Sequence, residues 1–288
     1  MYVVLEKLKV WGSLVRFSHS IFALPFAGIM LVVLMHQLQV GWKQLVLLLI
    51  CVVTARFAAM ACNRLADARI DELNERTKNR EIPAGRVSIG EAYLLTGGAA
   101  LAFVVASFGL GNHCGALSIP VLAVLLGYSF VKRFSILCHM VLGLALAFAP
   151  GGVWYALTAS WSWQPVSLMA AVAMWVAGFD ILYACQDAEF DRNLGLHSVP
   201  SRLGIPRSLV LAVVLHVACI CFLAVFGWVF ALGGWFWCGV TIFATLITSQ
   251  HVTVYRHGLA SIDQVFFVRN GLASVLLFMF VILDVAFQ

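Results

Sequence analysis

Long stretches with few or no Asp, Glu, Lys or Arg residues alternate with short polar segments along this chain. A bilayer crossing needs about 20 predominantly apolar residues, and the stretches Phe17 to Val40, Trp42 to Cys62, Ala92 to Gly111 and Cys114 to Val131 each meet that length. Phe134 to Phe179 is too long for one crossing and divides at the polar break Ser160 to Gln164. Ser208 to Tyr255 divides at Gly233-Gly234, and Gln264 to Phe287 finishes the chain. The pattern predicts an all-α integral membrane bundle of nine transmembrane helices.

The polar segments are not uniform. Asn63, Asp67 and Asp71 follow the second span at four-residue spacing, and Asp187 and Asp191 follow the sixth. Residues four apart share a face of a helix. Each set leads into a loop with basic residues and turn formers. Loop 72–86 carries Arg76, Lys78, Arg80, Pro83 and Gly85, and loop 192–207 carries Arg192, Gly195, Pro200, Gly204 and Pro206. Pro and Gly at these densities argue against continuous helix. Asp71 to Ser88 and Asp191 to Ser208 are both 17 residues, which hints at an internal duplication whose motif helices would face one cavity.

Alternating the loops across the membrane puts both acidic motifs and every Lys and Arg but Lys43 on one side. The positive-inside rule makes that side cytosolic, so the expected location is an inner or plasma membrane. Lys7, Lys9 and Arg16 among apolar neighbours suit a helix on the membrane surface over residues 1–16. A cleaved signal is not expected, because the next apolar run is full span length.

Composition agrees with this reading. Hydrophobic residues make up 62% of the 288 and charged residues 11%, far from a soluble domain. One domain over residues 1–288 fits, with no Pro/Ser-rich linker. The net charge of +5 reflects loop position and does not imply nucleic acid. The eight cysteines form no CxxC pair and the eight histidines no HExxH, so neither zinc nor a redox centre is expected.

Carboxylates are rare in lipid unless they have a function. Mg²⁺ takes oxygen ligands and completes its shell with waters and substrate phosphates. Asn63, Asp67, Asp71, Asp187 and Asp191 supply such oxygens, and the four aspartates are the expected catalytic set. Lys78, Arg80, Lys132, Arg133 and Arg192 could bind the oxygens of a diphosphate. Arg56 and Asp180 each sit seven residues before a motif, about two turns deeper. There they form either a buried ion pair or the lining of a pocket, with Arg56 on a substrate carboxylate.

At these residues the chain resembles the UbiA superfamily of intramembrane aromatic prenyltransferases. The resemblance rests on Asn63-Arg-Leu-Ala-Asp67-Ala-Arg-Ile-Asp71, on Arg76-Thr-Lys-Asn-Arg80 with Pro83-Ala-Gly85, and on Asp180-x2-Tyr183-Ala184-x2-Asp187-x3-Asp191. Arg56 and Lys132-Arg133 fall where the 4-hydroxybenzoate polyprenyltransferase branch has basic residues. The resemblance implies Mg²⁺-dependent transfer of a polyprenyl group from a polyprenyl diphosphate to an aromatic acid, for ubiquinone synthesis. Leu24-Pro25-Phe26-Ala27 after His19 is similar to a subgroup acting on 1,4-dihydroxy-6-naphthoate for menaquinone. A secondary transporter is the alternative from another class, because repeats and intramembrane charges also describe transporters.

Overall fold

A computed structural model of the chain describes residues 7, 10–14, 24–259 and 262–288, side chains of 263–267 excepted. The described residues contain helices and no strand. Much of the expected surface helix over 1–16, the start of the expected first span and His19 lie outside them. The helices are α1 (Leu24–Met35), α2 (Trp42–Leu73), α3 (Ile89–Leu110), α4 (Asn112–Val131), α5 (Cys138–Thr158) and α6 (Gln164–Ala184). They continue with α7 (Ala188–Asn193), α8 (Val199–Leu203), α9 (Ile205–Val229), α10 (Gly234–His257) and α11 (Ile262–Ala286).

Among the described residues, seven segments are long and apolar enough to cross a membrane: α2, α3, α4, α5, α6 continued to Asn193, α9 and residues 268–286 of α11. Two of the nine expected spans are not among them. The described part of the first is α1, an apolar helix of 12 residues. The other is α10, whose length suffices at 24 residues but whose apolar run is diluted by Thr241, Thr245, Thr248, Ser249, Gln250 and His251. The chain is a multi-pass membrane protein, and its apolar runs account for most of its helices.

Internal contacts divide the chain into two units, Met1–Ser20 with Trp42–Phe130 and Ile21–Gly41 with Val131–Gln288. In the first unit, α2 and α3 pack along each other. Cys51 of α2 meets Phe103 and Ala106 of α3 in a core joined by Val121 and Leu122 of α4. Ser88 starts α3 with a capping box, its hydroxyl accepting from the Glu91 N–H while Glu91 accepts from the Ser88 N–H. The described N-terminal residues pack inward, with Leu14 fully buried against Val87 and Ala92.

In the second unit α6 is central, packed on α5 and α9. Thirteen of its 21 residues are buried, as expected of a helix apolar all round. Trp175 of α6 anchors an aromatic cluster, with Phe26 of α1 at 5.1 Å and Phe179 at 5.0 Å between ring centroids. The backbones of α5 and α6 approach closely at Gly143, where a Cβ would stand 2.3 Å from the Ala173 carbonyl oxygen. Small residues permit this contact between membrane helices. A short connection makes the pair antiparallel, so the start of α5 meets the end of α6.

Candidate active site

The first acidic set lies on one unbroken helix. α2 runs 32 residues, about 48 Å at 1.5 Å per residue, well beyond a hydrocarbon core of about 30 Å. The expected end of the span at Cys62 is therefore only the end of its apolar part. The helix continues to Leu73 and holds Arg56, Asn63, Asp67 and Asp71 in register. Asp67 and Asp71 are buried, at 4% and 5% exposure.

Asn63 donates its amide N–H to Asp67 Oδ2 and to Ser129 Oγ, each at 3.3 Å, which leaves its carbonyl oxygen as the group to face a cation. Arg80 returns from the loop to donate through Nη1 to both oxygens of Asp71, at 2.7 and 2.8 Å. This pair is largely shielded, with side-chain exposures of 17% and 7%. The Thr77 hydroxyl also donates to the Asp71 carbonyl. Loop 72–86 is thus folded back on the helix that precedes it. Lys78 instead pairs with Glu75 at the surface. Arg56 is half-buried and lies in the field of Tyr128, with no hydrogen-bond partner for its Nε among the described residues.

The second set is built differently. α6 ends at Ala184, Cys185–Asp187 form a 3₁₀ turn, and α7 begins at Ala188. A 3₁₀ residue advances about 20° more than an α residue. Three of them turn Asp180 about 60° from the position that a regular helix would give it relative to Asp187 and Asp191.

Asp191 lies in the fields of Asp187 and Lys132 and is bonded to the Ser198 side chain. Ser198 caps α8, accepting from the Ser201 N–H. The Lys132 carbonyl accepts from the His197 N–H at 2.7 Å, so this loop is tied to the segment after α4. Arg192 is exposed and donates to the Ser201 carbonyl, and Arg133 is exposed as well.

Asp180 does not stand alone. Its Oδ2 lies 2.6 Å from Nδ1 of His139 at the start of α5. The other ring nitrogen of His139, Nε2, accepts from the Val199 N–H at 3.2 Å. An accepting Nε2 places the ring proton on Nδ1, so the imidazole donates to the carboxylate. His139 is buried at 3% exposure.

Sequence reasoning missed Tyr128, Ser129, Ser198 and His139. Tyr128 and Ser129 sit about one turn before Lys132, and a polar pair closing an apolar span was their signal. His139 had none, being 41 residues from Asp180. The 17-residue spacing shared by the two halves does not carry equal structure. Ser88 is an extended N-cap, whereas Ser208 lies inside α9 and bonds back to the Gly204 carbonyl.

The donors offered to a metal are hard oxygens. Among the described residues no three His, Cys, Asp or Glu side chains form a ready-made cage. Such partial shells fit Mg²⁺, which keeps waters and takes further oxygens from phosphates, better than an ion that needs an all-protein cage.

The described residues thus hold one buried carboxylate pair, Asp67 and Asp71, and a second, partly exposed one, Asp187 and Asp191, each followed by a basic loop. Residues 23–280 match the UbiA prenyltransferase family, and the chain belongs to it. The 4-hydroxybenzoate octaprenyltransferase of Vibrio campbellii is 27% identical over 258 residues, covering 87% of this chain and 89% of that protein. Among solved structures, an apo UbiA homolog from Aeropyrum pernix K1 superposes with a TM-score of 0.84 at 30% identity, over 92% of this chain and 98% of that one. A UbiA homolog from Archaeoglobus fulgidus bound to DMAPP and Mg²⁺ shares the fold, with a TM-score of 0.68 at 16% identity over 96% of this chain and 99% of that one.

Proposed function

We propose that this protein transfers a polyprenyl group from a polyprenyl diphosphate to an aromatic acceptor of the 4-hydroxybenzoate type in quinone biosynthesis, with Mg²⁺ as cofactor. The observation that carries the reading is the buried first motif, where Asp67 and Asp71 are held by Asn63 and Arg80 in a chain of the prenyltransferase family. Support for the donor and the metal comes from the Archaeoglobus homolog, and support for the acceptor from the name of the Vibrio relative. In this reading α1 and α10 also cross, which makes nine spans, and the acidic motifs open to the cytosol.

Asn63 and Asp67 of the first motif, and Asp187 and Asp191 of the second, would supply oxygen ligands to the metal. Bound there, Mg²⁺ would supply positive charge to the departing diphosphate. Asp71 adds its ligand capacity through lone pairs that Arg80 does not use, and it fixes Arg80 so that the rest of the guanidinium meets phosphate oxygens. Lys78, Lys132, Arg133 and Arg192 add donors from the loops. Arg56 grips the carboxylate of the acceptor, and Asp180 accepts from its phenolic hydroxyl. These residues hold the ring while the allylic C–O bond breaks, its electron pair leaving with the diphosphate. A ring carbon beside the hydroxyl then bonds to the allylic carbon, and its proton passes to a motif carboxylate or to the diphosphate.

The test is to incubate purified protein with a polyprenyl diphosphate, Mg²⁺ and either 4-hydroxybenzoate or 1,4-dihydroxy-6-naphthoate, and to identify the product by mass. Prenylated hydroxybenzoate is the expected product. A product with the naphthoate alone would move the acceptor to the menaquinone type. Solute uptake by reconstituted protein without diphosphate release would replace the reading with a transporter.

A further inference from the structure

The proposed chemistry leaves one buried side chain unexplained. His139 is shielded from any substrate, yet it spends both ring nitrogens on groups around the second motif. On one side it donates to Asp180, whose side chain is 30% exposed against 4% for His139. On the other it accepts from Val199, the first residue of α8 and the neighbour of Ser198. The backbones of α5 and α6 approach closely at Gly143, one turn along from His139.

A carboxylate with one oxygen bonded to a fixed donor has few rotamers left, and its other oxygen is aimed at whatever occupies the exposed side. We infer that His139 is a positioning residue for the aromatic acceptor, acting through Asp180 and holding that carboxylate to receive the acceptor's phenolic O–H. This rests on the acceptor reading above. The class of ligand follows from the geometry: with one oxygen taken by His139, Asp180 keeps acceptor capacity on the other, which suits a hydroxylated ring and not a phosphate. The Val199 bond keeps the ring from rotating, so it supports the same role.

The test uses the purified full-length protein with saturating polyprenyl diphosphate and varied aromatic acceptor, then the reverse. His139→Phe keeps the bulk and removes the donor, and His139→Leu replaces it if the Phe variant does not accumulate. His139→Asn returns an N–H at the position of Nδ1. We expect His139→Phe to raise the acceptor KM about tenfold or more, from loss of a hydrogen bond to a charged group, with the donor KM within twofold. His139→Asn should recover most of that loss. In an Asp180→Asn background, His139→Phe should have no further effect on the acceptor KM. An unchanged acceptor KM, equal rises in both KM values, or effects that multiply in the double variant would overturn the inference while leaving prenyl transfer standing. Wild-type protein inactive with every aromatic acceptor would overturn the functional reading, and this inference with it.

Discussion

The two acidic regions carry similar sequences and are held by different means. In the first, Asn63, Asp67 and Asp71 lie on an unbroken 32-residue helix, and the loop is fastened to it by a shielded ion pair between Arg80 and Asp71. In the second, a 3₁₀ turn interrupts the helix, and the loop is fastened by neutral contacts: His197 N–H to Lys132, Val199 N–H to His139 and a Ser198 cap. The first loop is fastened chiefly by an ion pair and the second chiefly by hydrogen bonds.

The largest expected effect ignores this difference. On the proposed reading, Asp67→Asn and Asp191→Asn should each lower prenyl transfer about a thousandfold, because each would remove an anionic ligand of the proposed metal worth several kcal/mol at the transition state. Turnover measured beside thermal unfolding checks this, and both variants should stay folded. Near-normal turnover in either would show that only one motif works on the diphosphate.

The next comparison isolates how each loop is held. Arg80→Ala leaves Asp71 as a buried unpaired charge and should cost about 3 kcal/mol of stability. Arg192→Ala removes a bond from an exposed side chain to a carbonyl and should cost about 1 kcal/mol. Adding Asp71→Ala to Arg80→Ala should restore part of the stability without restoring activity. Equal losses at Arg80 and Arg192 in denaturation experiments would erase the contrast.

Arg56 tests the same contrast through binding. Arg56→Ala should raise the acceptor KM about tenfold and leave the donor KM unchanged, as loss of one charge-assisted contact to a carboxylate predicts. Selective loss of donor binding would instead move Arg56 to the diphosphate.

Most of the fold was legible because charge-free runs are a direct record of lipid burial. α3, α4, α5 and α9 lie close to where those runs placed them. One shortfall has a clear cause, which is that apolarity alone marks what lipid covers and not where a helix stops. α2 outruns its apolar part by a full acidic motif, whereas α10 begins where the break at Gly233-Gly234 placed it. For the site, the spacing of Asp67 and Asp71 on a helix was readable because it is local. The Arg80 to Asp71 pairing needed the fold of a loop, and the His139 to Asp180 contact needed two helices to pack. Neither leaves a trace at short sequence range.

The smallest effect asks whether the loops nonetheless share one device. Gly85 and Gly204 each precede the next long helix, with φ of +69° and +78°. A Cβ at either would meet nothing within 4 Å, so only the positive-φ backbone opposes a side chain, and at Gly204, with ψ of 161°, that backbone is essentially glycine-only. Alanine should therefore cost about 1 kcal/mol at Gly85 and about 1–3 kcal/mol at Gly204 through the backbone alone, with turnover nearly unchanged. If the first loop is secured independently by the Arg80 pair, Gly85→Ala should add to Arg80→Ala without coupling. A loss at Gly204 well beyond about 3 kcal/mol would show that the second loop leans on its turn for more than backbone conformation.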